Sequence, residues 1–183
     1  MRIISGIYKG RKLQAGTDLS IRPTTDRVKE FIFNILHDFP QNINVADIFS
    51  GSGSLGLEAL SRGAQKITFV EKNRLSIDIL KKNISHLGIE SIYYEILNLA
   101  ADTYTREDHS DIGLYLMDPP FKYANLQNLV NNLTGSAYFS TGNLFVLEHE
   151  ISNPIEPDGQ SYTILKQKKM GRSLISFIEK RPI

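Results

Sequence analysis

Between residues 44 and 150 the apolar and polar positions of this chain alternate between two rhythms. Short, nearly continuous apolar runs occupy 44–49, 66–71, 91–96, 112–118 and 143–150, each with the length of a buried strand. Segments with helical spacing lie between them at 55–62, 74–87, 100–105 and 125–133, and Gly88 supplies a C-terminal cap for the second. Strands alternating with helices predict βαβ units and hence a parallel sheet. Upstream, Val28, Phe31, Ile32, Ile35 and Leu36 follow i, i+3, i+4, i+7, i+8, one apolar helix face. Pro23 and Thr24-Thr25-Asp26 start that helix, and Phe39-Pro40-Gln41-Asn42 ends it. Residues 2–13, with Gly6 and Gly10 at the turn, predict a β-hairpin. Downstream of Pro154, residues 162–170 and 173–179 are strand-like runs joined through Gly171-Arg172, a terminal antiparallel hairpin. The expected fold is α/β, a mostly parallel seven-stranded sheet with a C-terminal antiparallel hairpin, preceded by an N-terminal β-hairpin and helix. Residues 1–183 are expected to form a single domain, 1–40 being the extension and 41–183 the core.

Composition narrows the chemistry. The 183 residues contain no cysteine, which excludes disulfides, thiolate zinc sites and a cysteine nucleophile. His37, His86, His109 and His149 fall in no ligand motif, so no metal is expected. No apolar run approaches the ~20 residues of a membrane span, and the first residues carry no signal-peptide pattern; a cytoplasmic protein is expected. The net charge of +1 conceals an asymmetry. Residues 1–30 hold seven Lys/Arg against three Asp/Glu, and residues 162–183 hold six against one, while 31–161 hold eight against sixteen. Basic ends around an acidic middle suit a polyanionic partner.

Two motifs carry the candidate chemistry. Asp118-Pro119-Pro120-Phe121 follows the fourth apolar run. Two prolines cannot continue a ladder, so the chain leaves the sheet stiffly, with a carboxylate before the turn and an aromatic ring after it. That pairing suits a planar group bearing an exocyclic NH2. The second motif places Gly51, Gly53 and Gly56 in G-x-G-x-x-G spacing between a strand and a helix, with Ser52 between the first two. Such a loop brings backbone N–H groups and a helix N-terminus against a ligand. Glu71, 20 positions after Gly51, ends the next strand where a carboxylate can take both hydroxyls of an adenosine ribose. Asp47, four residues before Gly51, would repel a pyrophosphate but could accept from the ammonium of a methionine moiety. The sign of that charge favours S-adenosylmethionine over a dinucleotide. Asn98, just past the third strand, could reach the adenine amine. Ligands of open α/β sheets bind outside the carboxyl ends of the strands, so Asp47, Glu71, Asn98 and Asp118 are expected along one rim.

These residues resemble the motifs of class I S-adenosylmethionine-dependent methyltransferases of the amino-methylating type, which have a Rossmann-like domain. The chain is most similar to the bacterial 16S rRNA guanine-N2 methyltransferases (RsmD-like). The similarity spans nearly the whole chain, through Arg2-Ile3-Ile4, Gly10-Arg11-Lys12-Leu13, Arg22-Pro23-Thr24-Thr25-Asp26-Arg27-Val28, the stretch from Gly51 to Gly63, and Asp118 to Phe121. The string from Arg22 to Val28 is the most specific of these. Ser5, Tyr8 and residues 170–173 depart from the family's pattern.

The resemblance implies methyl transfer to the exocyclic N2 of a guanine in 16S rRNA, presented free or in the assembling 30S subunit. Asp118 and the carbonyl of Pro119 would accept the amine's N–H groups, with Pro120 stiffening the turn and Phe121 stacking on the extruded base. Asp47, Gly51, Ser52, Gly53, Glu71, Asn98 and Asp118 would hold the cofactor. Lys9, Arg11 and Lys12 are the candidate RNA clamp, and Arg22, Thr24 and Arg27 the candidates for lining the pocket. The alternatives are an amino-methyltransferase acting on DNA adenine or cytosine or on protein glutamine, an NAD-dependent oxidoreductase, and an RNA-binding module with a dead cofactor pocket.

Overall fold

The computed structural model describes residues 1–15, 25–121, 123–157 and 159–181. Its strands are β1 Asn44–Ile48, β2 Lys66–Val70, β3 Tyr94–Leu97, β4 Ile112–Met117, β5 Leu144–Glu150, β6 Tyr162–Met170 and β7 Ser173–Lys180. They form one sheet in the order β3-β2-β1-β4-β5-β7-β6. β1 to β5 pair in parallel, and β7 enters antiparallel to both β5 and β6. This is the α/β, Rossmann-like sheet expected from the alternation of runs. The helices are α1 Asp26–Leu36, α2 Ser54–Ser61, α3 Arg74–Leu87, α4 Ala101–Tyr104 and α5 Leu126–Gly135.

Alternate residues along each strand feed two core layers, as a period of two requires. Val45, Phe69, Leu116, Val146 and Phe177 pack with Ile32, Phe33, Leu57 and Leu80 of α1, α2 and α3. Ala46, Val70, Met117, Leu147 and Ile178 pack on the other side with Tyr104, Leu129 and Leu133 of α4 and α5. The strand expected over 91–96 is displaced: residues 91–93 make a 3-10 turn, and the strand runs over Tyr94–Leu97. α1 stops at Leu36, where His37 takes φ +50° and donates its N–H to Phe33 O, so the helix ends before Pro40 acts.

The N-terminal hairpin is a looped arm held by a single antiparallel bridge, Arg2 with Lys12. Ile3 N–H donates to Arg11 O, Gly10 N–H to Ile3 O and Leu13 N–H to Met1 O within the arm, and its other donors turn to α2. Ile4 N–H and Ser5 N–H donate to Glu58 Oε2 and Oε1 at 2.7 and 3.0 Å. Ile7 N–H donates to Ser61 O at 2.8 Å, and Tyr8 N–H to Ser61 Oγ at 3.0 Å. Gly6 makes this contact possible: at φ +82°, a Cβ there would lie 1.7 Å from Ser61 O.

Glu58 also meets two cations. Arg62 Nε donates to Oε1 at 2.8 Å, and Lys29 Nζ stands 3.8 Å from Oε2. The Lys29 and Glu58 side chains are both 0% exposed. Lys29 Nζ donates to Arg2 O at 2.5 Å and to Ser54 Oγ at 3.1 Å, joining α1, the arm and the first residue of α2. Burial pushes the Lys29 pKa down, and the charges of Glu58 and Asp26 oppose the fall. Removing one partner of a buried pair strands the other, which costs about 3–5 kcal/mol. Glu58→Ala should therefore lose about that much in urea denaturation, whereas Arg62→Ala, whose partner keeps its other donors, should lose about 1 kcal/mol. Equal losses in the two variants would remove the central role of Glu58.

Candidate active site

The sheet order reverses between β1 and β4, so a crevice opens at the carboxyl ends of these two strands. β1 leads into a loop of unusual backbone: Phe49 at φ +63°, Gly51 at +53° and Gly53 at +82°. Phe49 is not a glycine, and its left-handed conformation is strained, by about 1–3 kcal/mol. Its ring meets the edge of Tyr123 at 5.1 Å. Gly53 and Gly56 are demanded by packing, since a Cβ would lie 2.4 Å from Leu80 Cδ1 and from Phe69 Cε1 respectively. Gly51 differs: a Cβ there meets only Phe49 O, at 4.0 Å, and otherwise open space. Ser50 Oγ is buried in the same loop without a hydrogen-bond partner among the described residues.

Neighbouring elements brace this loop. Asn83 of α3 donates through Nδ2 to Ser52 O at 2.9 Å and to Gln14 O at 3.0 Å, and accepts from Gln14 N–H at 2.8 Å. Asp47 is 2% exposed, and its Oδ2 accepts the Gly56 N–H at 2.8 Å. It thus holds the start of α2 from beneath the loop. Glu71 accepts Gly51 N–H on Oε2 at 2.9 Å and Asn73 N–H on Oε1 at 2.8 Å. Asn98 donates through Nδ2 to Glu71 O and Lys72 O at 3.1 and 3.0 Å, tying the end of β3 to that of β2. Glu71, Asn98 and Asp118 follow the ends of β2, β3 and β4 at the rim, whereas Asp47, expected beside them, lies buried within β1 beneath the loop. An open backbone face at Gly51, an unpartnered buried hydroxyl at Ser50 and a carboxylate at Glu71 fit an adenosine-type ligand with hydroxyl groups.

The exit of β4 is fixed as firmly. Pro119 is buried, and Tyr123 N–H closes a turn onto Pro120 O at 2.9 Å. Tyr123 donates its hydroxyl to Asp102 Oδ2, Asn125 Nδ2 donates to Asp102 Oδ1 at 2.9 Å, and Asn153 Nδ2 donates to Tyr123 O at 3.0 Å. The Tyr123 hydroxyl, with the Asn125 amide, holds the Asp102 carboxyl below the usual range. Phe121 is half-buried, and the Arg172 guanidinium lies over its ring, 5.7 Å from the centroid. Arg172 is itself anchored by Glu150 Oε1 at 2.5 Å. The β6–β7 turn thus reaches the acceptor motif, a contact that spacing could not reveal.

The basic candidates separate into two places. Lys9 and Lys12 are exposed on the arm, which lies along α2. Arg11 donates through Nη2 to His86 O at 2.7 Å, near the end of α3. The residues beside Lys9 bind Ser61, the last residue of α2, so Lys9 stands about 10 Å along that helix from the glycine loop. Arg27 instead faces a groove between α1 and the β6–β7 turn, opposite Lys168 and Lys169. The two basic ends of the chain meet there. Arg22 and Thr24 lie outside the described residues. Among the described residues no group of His, Asp and Glu is arranged to hold a metal, and no helix is long and apolar enough to cross a membrane.

Burial pushes the Asp47 carboxyl up from 3.8 to about 7, with the Gly56 N–H opposing the rise and the Glu71 charge adding to it. The folded chain then keeps a proton that the unfolded chain releases above about pH 4. Stability from this group is therefore greatest below about pH 4, falls as pH rises to about 7, and is level beyond. Asp47→Asn should remove that slope. The melting temperature of the variant should gain on the wild type between about pH 4 and 7 and hold a constant lead above it; a gap that does not vary with pH would place the proton elsewhere.

A protein-family model described as Conserved hypothetical protein 95 matches residues 1–179. The ribosomal RNA small subunit methyltransferase D of Haemophilus influenzae is 35% identical over 174 residues, covering 93% of this chain and 89% of that protein. Its Escherichia coli counterpart is 32% identical over 172 residues, covering 94% and 86%. Among solved structures, an Escherichia coli protein described as a candidate methyltransferase superposes with a TM-score of 0.83 at 30% identity, covering 98% of this chain and 97% of that one. With its sheet order, its glycine loop and its acceptor turn, the chain belongs to the family of ribosomal RNA small subunit methyltransferase D.

Proposed function

We propose that this protein methylates the exocyclic N2 of a guanine in small-subunit ribosomal RNA, using S-adenosylmethionine. The observation that carries the reading is the juxtaposition at the β1–β4 switch point of a braced glycine loop and a stiff Asp-Pro-Pro-Phe turn. The names of the relatives support an RNA substrate. The cofactor, when bound, supplies an electrophilic methyl on a sulfonium; the chain's residues do the rest. Glu71 would take the ribose hydroxyls and the loop around Ser50 and Gly51 would hold the methionine end, while Asp47 keeps that loop in shape from below. An adenine amine would be met by Asn98 Oδ1, since the amide nitrogen is committed to backbone carbonyls.

A guanine amine is a weak nucleophile because its lone pair is delocalised into the ring. Asp118 and the Pro119 carbonyl accept its two N–H groups and turn the lone pair toward the methyl. Methylation would make the nitrogen cationic, and Asp118 would take up the proton it releases. Phe121, backed by Arg172, offers a stacking face to the extruded base. Rate acceleration comes from in-line positioning and from a carboxylate aimed at developing positive charge. A substrate in the assembling 30S subunit sets this work in the cytoplasm.

Asp118→Ala should abolish transfer of tritiated methyl to small subunits, by at least about 100-fold, while S-adenosylmethionine still raises the melting temperature. Near-normal turnover would sink the assignment, and mapping of N2-methylguanine in cells with and without the gene identifies the nucleotide. Replacing Lys9 and Lys12 with Glu, leaving the helix-bound Arg11 intact, should weaken RNA binding and reduce its salt slope by about 2. A slope unchanged across a salt series would remove the arm from the interface.

A further inference from the structure

A second carboxylate stands beside Asp118 on the rim. β4 and β5 run parallel, and Met117 opposite Leu147 is the last pair of their ladder, so Asp118, the first residue after β4, leaves the sheet next to Glu148 of β5. Val146, two positions before Glu148 in β5, belongs to the core layer on the α1–α2 side; the period of two puts Glu148 on that same side. Glu148 is 6% exposed and accepts from Ser173 Oγ on Oε1 at 2.7 Å. It lines the groove between α1 and the β6–β7 turn, which has a volume of about 500 Å³. That volume falls in the range of small-ligand pockets.

The groove has a mixed character. Arg27, Lys168 and Lys169 bring positive charge, Glu30 and Glu148 bring carboxylates, Phe31 adds an aromatic wall, and Ser173 adds a hydroxyl. A site for an anion alone would not place a carboxylate among its walls. A nucleotide fits better, with its phosphates toward the cations and a base whose donors meet Glu148. Guanine presents N1–H and N2–H2 side by side on its Watson–Crick edge, whereas adenine presents a lone pair at N1. Two adjacent carboxylates match the guanine edge and oppose the adenine one.

We propose that Glu148 is the specificity-determining residue of this site, accepting the N1–H of the target guanine while Asp118 and Pro119 hold its N2 amine. The proposal rests on the guanine-N2 reading above and deepens it. Glu148 sets which base is accepted, and Asp118 serves the transfer itself.

The test uses small subunits reconstituted with either guanine or 2-aminopurine at the mapped position. 2-Aminopurine keeps the 2-amino group but carries a lone pair in place of N1–H. Wild type and Glu148→Gln are compared on both. Gln keeps an acceptor for Ser173 and gains an Nε2–H donor for the 2-aminopurine N1. The wild type should prefer guanine by about 10–100-fold in kcat/KM, and Glu148→Gln should bring the ratio close to one or below it. An unchanged ratio in an active Glu148→Gln overturns the proposal. So does a folded variant inactive on both acceptors, because a selecting residue leaves 2-aminopurine turnover intact. If Glu148→Gln does not fold, Glu148→Asp, with its carboxylate withdrawn, should also lower the ratio; failure of both to fold makes Glu148 structural and ends the proposal. Loss of transfer in Asp118→Ala with an unchanged ratio in Glu148→Gln would keep the N2 reading and discard Glu148 alone. A wild type that methylates no guanine removes both.

Discussion

The N-terminal arm and its seat on α1 and α2 depend on one buried carboxylate. Glu58 accepts two backbone N–H groups of the arm and a guanidinium, and lies beside a buried ammonium that in turn binds the arm and the start of α2. A buried ion pair adds little net stability, because desolvation consumes most of the attraction. Its effect is on arrangement. With the arm, α1 and α2 all satisfied by one pair, other placements of the arm would leave a charge or a backbone donor in the core without a partner. The exit of the glycine loop at Ser54 is thereby tied to the first residues of the chain.

The second organising feature is the reversal at β7. Five parallel strands send their carboxyl ends to one rim. A sixth parallel strand would have needed a crossover of a dozen or more residues. An antiparallel β7 instead pairs Ser173 with Glu150 and Met170, and so places the β6–β7 turn at that rim. The turn supplies Arg172 to the face of Phe121 and Lys168 and Lys169 to the groove. A basic segment remote in sequence from the glycine loop is carried to the crevice by strand direction alone.

The elements of the sheet were legible because buried parallel strands are written as unbroken apolar runs and their helices as amphipathic ones. Boundaries failed where backbone geometry outweighed apolar content: Ile92 and Tyr93 resemble strand residues, yet they sit exposed in a 3-10 turn. Along the rim, the acids at strand ends could be found by position, and Glu148, near the end of the fifth run, carries the same signal as Asp47, Glu71 and Asp118. No glycine or proline motif flags it. The contact of Arg172 with Phe121, the burial of Asp47 under Gly56 and the pairing of Lys29 with Glu58 had no signature at all. Each depends on segments brought together from 9 to 51 positions apart, and burial of a charge is decided by its surroundings, not by its own residue type.

The groove joins α1, which ends at Leu36, to a turn that begins after Met170. One wall is therefore among the earliest parts of the chain to be synthesised and the other among the last. At about 5–20 residues per second, several seconds separate their emergence, during which the parallel strands and the glycine loop can already have folded. A nascent chain can thus form the crevice at its glycine loop before it owns a complete groove. The groove is complete only with the closing hairpin, so a chain truncated before β7 would lack one of its walls.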